Sequence, residues 1–166
     1  MFVFGHIGVG RAIIGSRGRA LPFVPLAIGM LLPDVIDKPL YYLRVSPFIS
    51  CTRTFGHTGL LVLLLFLCAW IASRRSPRPS GRGIALAALA VGAATHDLLD
   101  MAVDFATSGG TSSTLIALAW PVLDTHFFVY PFKTVFDQIR GIWKTPVMIC
   151  EVIGLLCLSW EFRRRQ

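Results

Sequence analysis

The stretch Ile84-Ala-Leu-Ala-Ala-Leu-Ala-Val-Gly-Ala-Ala-Thr-His-Asp-Leu-Leu-Asp-Met-Ala-Val-Asp-Phe105 is apolar and small-residue-rich up to Ala94, then carries His96, Asp97, Asp100 and Asp104. Its length and composition predict a central helix whose alanines and glycine admit close approach by neighbouring helices. His96 and Asp100 stand four apart, one helical turn on the same face, and Asp104 continues the stripe. An ionised acid beside such an apolar run must meet a cavity, a partner or a cation. One imidazole and one carboxylate on a shared face suit a borderline or hard metal ion.

The rest of the chain has the same character. Of its 166 residues 54% are hydrophobic, and the mean hydropathy is +0.66, more than a soluble core requires. One domain spanning 1-166 is expected, with lipid as its solvent. Leu60 to Ala72 is continuously apolar, and Pro146 to Trp160 is interrupted only by Glu151. Several runs fall short of the roughly twenty residues of an isolated span, which predicts tilted or mutually shielded helices.

The net charge of +7 is distributed in short basic stretches between apolar runs: Arg17 and Arg19; Arg74, Arg75, Arg78 and Arg82; Arg163 to Arg165. That is the positive-inside pattern of a membrane protein. A nucleic-acid partner is excluded, since no basic surface interleaved with aromatics is present. The first apolar run precedes its arginines, the reverse of a signal peptide. Cys68, Cys150 and Cys157 lie in apolar runs and Cys51 stands alone, so neither a disulfide framework nor a thiolate metal motif is expected.

With the basic stretches in the cytoplasm, the expected architecture is all-α: a polytopic membrane helical bundle of about five short spans plus an interfacial or re-entrant segment. Helix one runs from about Phe4 to Ser16 and helix two from Pro22 to Pro33-Asp34. Lys38 to Phe55 is an outer loop. Helix three descends from His57 to about Ser73, helix four rises to about Phe105, and the last helix returns from Pro146 to Trp160. Leu115 to Phe132, with Pro121 and Asp124, is the interfacial or re-entrant piece. At about 1.5 Å per residue, His6 stands roughly 16 Å above Arg17, Asp34 roughly 22 Å above Arg19, His57 about 25 Å above Arg74 and His96 about 21 Å above Arg82. Four segments therefore bring a candidate ligand to one band toward the outer face.

Asp34 and Asp37 are three apart and face one site if helix two extends through them; Pro33 instead makes a bend at the helix end if it does not. For Asp37, Asp104 and Asp124 a solvated helix end competes with a ligand role, and His57 competes with a polar cap. His126 reads as interfacial. Arg53 and Lys38 put positive charge near the carboxylates, which suits a phosphate-bearing substrate, while lipid headgroups or the aspartates themselves are the alternative partners. Trp70, Trp120, Trp143, Trp160, Tyr41, Tyr42 and Tyr130 read as interfacial anchors. Gly5, Gly8, Gly10 and Gly15 allow close packing of helix one.

The order of these elements resembles the LexA-regulated, membrane-bound predicted metal-dependent hydrolase family, whose motifs are similar to those of zinc-dependent phospholipase C. The features are His6-Ile-Gly-Val-Gly, Leu32-Pro33-Asp34-Val35-Ile36-Asp37, Arg53 to His57, and His96 to Asp100, covering about Phe4 to Asp104. Thr52 stands where that family has a first histidine, and Gly56 where it has a threonine.

The resemblance and the residues together point to an integral membrane hydrolase. A divalent metal, zinc in the first place and one or two ions in number, would be held by His6, Asp34, His57, His96 and Asp100. Asp37 is expected as a second-metal ligand or general base, and Arg53 as the group stabilising charge on phosphoryl oxygens. Membrane lipid is the expected partner and a lipid phosphoester the expected substrate, in a bacterial or archaeal cytoplasmic membrane. A transporter or ion pathway is the second expectation, with polar residues continuing across the membrane. A scaffold with a structural metal is the third.

Overall fold

The computed structural model describes residues 3–15, 21–45, 49, 51–74, 81–107, 112–123, 127, 134, 136, 140 and 145–163. Among them every regular element is helical. A π-helical turn, Gly5–Val9, runs directly into α1, Gly10–Ile14; then come α2, Phe23–Tyr42, a short 3-10 turn, Phe55–His57, α3, Gly59–Arg74, α4, Gly81–Thr107, α5, Ser113–Ala119, and α6, Thr145–Arg163. By length and composition α4 can cross a membrane, and α3 is apolar but shorter.

Close backbone contact holds α2 against α4. A side chain at Gly29 would run into the carbonyl of Leu89, and one at Gly92 into the carbonyl of Leu26. The core there is small: Leu26, Met30 and Ala88, with Ile7, Ile14, Leu21 and Val91 packed around them. Packing between backbones thus replaces the large aliphatic core of a soluble bundle. The large aliphatics lie outside: Leu60, Leu63, Leu64 and Leu67 of α3 and Ile149, Val152, Leu155 and Leu156 of α6 are exposed, whereas His6, Asp37, His57 and His96 are fully buried. Such an inverted distribution is expected where the surroundings are hydrocarbon. At the end of α3 the Arg74 guanidinium lies over the Trp70 ring, 4.0 Å from its centroid, as basic and aromatic side chains do at an interface.

Parallel packing joins the first and last helices. Gly8 and Gly154 approach so closely that a side chain on either would meet backbone. Arg11, itself buried, donates from Nε to both oxygens of Glu161 at 2.9 and 3.0 Å. Glu151 accepts from the backbone N–H of Phe4 (3.1 Å) and of Gly5 (3.0 Å). Those N–H groups precede the first helical acceptor, so the helix itself offers them no partner. At the other end of α1, Gly15 takes a positive φ of 59° and the chain leaves the helix.

Several boundaries differ from those expected of the sequence. Helix two does not end at Pro33-Asp34; it continues through Pro33 and Pro39 to Tyr42, so Lys38 belongs to a helix and not to a loop. Each proline removes one N–H from the ladder and crowds the carbonyl four residues before it, and the packing against α4 carries the helix past that cost. His57 lies in a separate 3-10 turn, and α3 begins at Gly59. Of the expected interfacial or re-entrant segment, the described part is the short α5 and a turn to Leu123; at seven residues α5 cannot span. Asp124, His126, Tyr130 and Trp143 lie outside the described residues.

Replacing Gly92 by leucine forces α2 and α4 apart and should destabilise the protein by about 3 kcal/mol. Val24→Ala, at a position 65% exposed, should leave thermal unfolding in detergent almost unchanged. Equal effects of the two would contradict a core built on backbone contact.

Candidate metal centre

Three separate stretches present histidines to one another: the π-helical turn (His6), the 3-10 turn (His57) and the middle of α4 (His96). The π-turn adds a residue to the helical repeat and re-aims the side chains around it, a device common at functional sites. His6 stacks on His96 with ring centroids 3.9 Å apart, and its Nε2 lies 3.1 Å from Asp100 Oδ1.

Hydrogen bonds behind the rings assign their tautomers. His96 Nδ1 lies 2.7 Å from the backbone carbonyl of Met30, which can only accept, so Nδ1 carries a proton. His57 Nδ1 lies 2.7 Å from Asp37 Oδ2. Asp37 also accepts from Thr54 N (2.6 Å), Thr54 Oγ1 (2.9 Å) and Gly56 N (2.8 Å), so it is an acceptor and the His57 proton too sits on Nδ1. In neutral form both rings then present bare Nε2 lone pairs, and these face each other at 3.2 Å.

Two lone pairs do not hold such a distance without something positive between or beside them. Around them stand carboxylates: Asp100 Oδ2 is 3.8 Å from His96 Nε2 and 3.9 Å from His57 Nε2, and Asp34 Oδ1 is 3.9 Å from His57 Nε2. His6, His96 and Asp100 offer ligand atoms within 4.8 Å of one another, and so do Asp34, His57 and His96. Nitrogens about 2.0–2.1 Å from a tetrahedral zinc lie about 3.3 Å apart, close to the separation seen here. The donor set therefore fits a divalent ion, and these buried His and Asp groups can hold one.

The remaining expected residues occupy other places. Asp37 is not at the centre of the cluster: it lies behind His57, and all four hydrogen bonds above use its two oxygens. Gly56 makes that arrangement possible, since a Cβ there would lie 2.5 Å from the Pro33 carbonyl and 3.0 Å from Asp37 Cγ. Arg53 is bound to acids: Nε and Nη2 donate to Asp100 Oδ2 at 3.2 and 3.0 Å, and Nη1 donates to both oxygens of Asp104 at 2.7 and 3.0 Å and to Ser113 Oγ at 2.6 Å. Asp104 ties the start of α5 down, accepting from Ser112 Oγ, Thr114 N and Thr114 Oγ1. Lys38 pairs with Asp34 one turn away at 2.5 Å, both partly open to the surroundings.

Sequence spacing gave no role to Asp97, yet it is 2% exposed and neither of its carboxylate oxygens has a hydrogen-bonding partner among the described residues. Its only signal is adjacency to His96; the i to i+4 stripe passes it by.

His57 lies in the turn outside the long helices. Burial alone would favour its neutral ring, but the Asp37 hydrogen bond and the charges of Asp100, Asp34 and Asp37 together raise its pKa above the ordinary histidine value. A proton on His57 therefore competes with any cation for the shared space. The affinity of the purified protein for Zn²⁺ should rise with pH and level off only above about 6.5. Chelator competition in detergent between about pH 5.5 and 8.5 reads it; a flat profile would exclude His57 as a ligand.

A family model described as YdjM inner membrane protein matches residues 1–166. No curated protein and no solved structure matches the chain. The match agrees with the membrane-bound character implied by the resemblance, and it carries no reaction. Matched over its whole length, the chain belongs to the YdjM inner membrane protein family.

Proposed function

We propose that this inner-membrane protein is a metal-dependent hydrolase of a lipid or lipid-like phosphoester, its metal held by His6, Asp34, His57, His96 and Asp100. The observation that carries the reading is the pair of facing Nε2 atoms 3.2 Å apart, each fixed by a partner behind its ring. Bound among these groups, a divalent ion such as zinc supplies Lewis acidity, polarising an ester and lowering the pKa of a water. Five ligands exceed the three usual for one catalytic zinc, so either two ions share the cluster or part of the set orients the rest.

The chain's own residues divide the remaining work. Asp37 orients His57 and keeps its Nδ1 proton in place, the carboxylate–histidine arrangement typical behind a metal; this replaces the general-base role expected of it. Arg53 holds Asp100 by two of its donors and thereby sets the direction of that carboxylate. Lys38, beside the partly open Asp34, is the cation best placed to meet an anionic headgroup. Entry from the bilayer fits the exposed aliphatic surface of α3 and α6. The basic residues Arg74, Arg82 and Arg163 at the helix ends remote from the histidines support a bundle of about five spans with the cluster toward the outer face.

An ion pathway requires polar groups to continue along the bundle. Below His96 the α2–α4 contact includes Gly92, Ala88, Gly29 and Leu26, which favours a closed site over a path between these two helices.

Metal content of purified wild type should be stoichiometric, and His96→Ala and Asp34→Ala should lose most of it. Hydrolysis of a short-chain phospholipid in mixed micelles should fall by about 100-fold or more in both. Undiminished metal in the two variants would overturn the ligand assignment. Stoichiometric metal without turnover of any phosphoester would leave a structural metal in its place.

A further inference from the structure

The last helix carries none of the five proposed ligands, yet it grips the peptide that presents one of them. Glu151 of α6 accepts from Phe4 N with Oε2 (3.1 Å) and from Gly5 N with Oε1 (3.0 Å). The next residue is His6, whose ring lies 3.9 Å from that of His96 and whose Nε2 is 3.1 Å from Asp100 Oδ1. Gly5 admits the carboxylate, because a Cβ there would stand 2.5 Å from Glu151 Oε1. One turn further, Gly154 meets Gly8 backbone to backbone and also underlies the Phe4 carbonyl. The π-helical turn that aims His6 is thus held at its first two N–H groups by an acid from the opposite end of the sequence.

We propose that Glu151 is a positioning residue for the metal centre: by capping Phe4 and Gly5 it sets the height and rotation of the π-helical turn, and so places His6 against His96 and Asp100. The proposal rests on the metal-centre reading above. A carboxylate suits the task because both its oxygens accept; a glutamine would turn an N–H group toward one of the two N–H donors. The helix N-terminus also favours negative charge at that point. Glu161 is the matching control. It joins the same two helices through Arg11 at the end remote from His6, so it contributes to their docking without touching the turn.

The test measures Zn²⁺ affinity by chelator competition and the Co²⁺ absorption spectrum of the full chain in detergent. Glu151→Ala should weaken Zn²⁺ binding about 10- to 100-fold, as loss of a group behind a ligand does, and its cobalt spectrum should match that of His6→Ala. Glu151→Gln, which preserves shape and one acceptor, should fall between and serves if the alanine variant does not fold. In a His6→Ala background, adding Glu151→Ala should change affinity less than about 3-fold, since its effect passes through the missing imidazole. Glu161→Gln should lower thermal stability and leave affinity and spectrum as in wild type. If His6→Ala weakens binding while Glu151→Ala and Glu151→Gln do not, this proposal falls and the metal centre stands. An equal loss from Glu151→Ala with and without His6 also overturns it, as general destabilisation. Wild type that binds no metal, or binds it independently of His6, removes the metal centre and this proposal with it.

Discussion

Two imidazole nitrogens, Nε2 of His57 and of His96, face each other at 3.2 Å because their opposite nitrogens are already committed. Met30 offers a carbonyl to one ring and Asp37 a carboxylate to the other. In neutral form neither ring can relieve the contact by exchanging tautomers without breaking a buried hydrogen bond. The cluster therefore requires positive charge, as a shared proton or as a cation, and the surrounding Asp34 and Asp100 supply the compensating negative charge.

The fold around this cluster serves it by backbone proximity. Gly29, Gly92, Gly8, Gly154 and Gly56 each stand where a side chain would strike a neighbouring backbone. Helices so close can place a carbonyl of α2 within reach of a ring on α4, and a carboxylate of α6 within reach of the N–H groups that open the π-helical turn. The cost is a small apolar core. Surrounding hydrocarbon makes that tolerable, because large aliphatics can face outward without penalty. Partly buried ion pairs such as Arg11–Glu161 and Arg53 with Asp100 and Asp104 then set which helices meet and in what register.

Helix two shows where local signals mislead. Pro33 and Pro39 are strong reasons to end a helix, yet α2 continues through both to Tyr42. Its packing on α4 and the contacts of Asp37 with the Thr54–His57 turn stabilise the continuation more than two missing hydrogen bonds weaken it. As a result Asp34, Asp37 and Lys38 all sit on one helix, which spacing alone left open. The departures at Thr52 and Gly56 from the resembled family likewise have different weights: Gly56 is needed for the turn to approach α2 so closely, while Thr52 is buried with no contact among the described residues that explains it.

The sequence by itself determined the helical class, the membrane setting and the candidate ligands. Periodicity, apolar run length and the position of charge depend only on local order along the chain and on transfer to lipid. Only the tertiary structure decided which nitrogen of each histidine is free, that Asp37 stands behind His57, that Arg53 is spent on Asp100 and Asp104, and that Glu151 caps the first turn. Those outcomes depend on hydrogen bonds between residues up to 147 positions apart, whose geometry changes with an ångström of helix displacement. No local pattern in the chain encodes that displacement; the glycine contacts between helices set it.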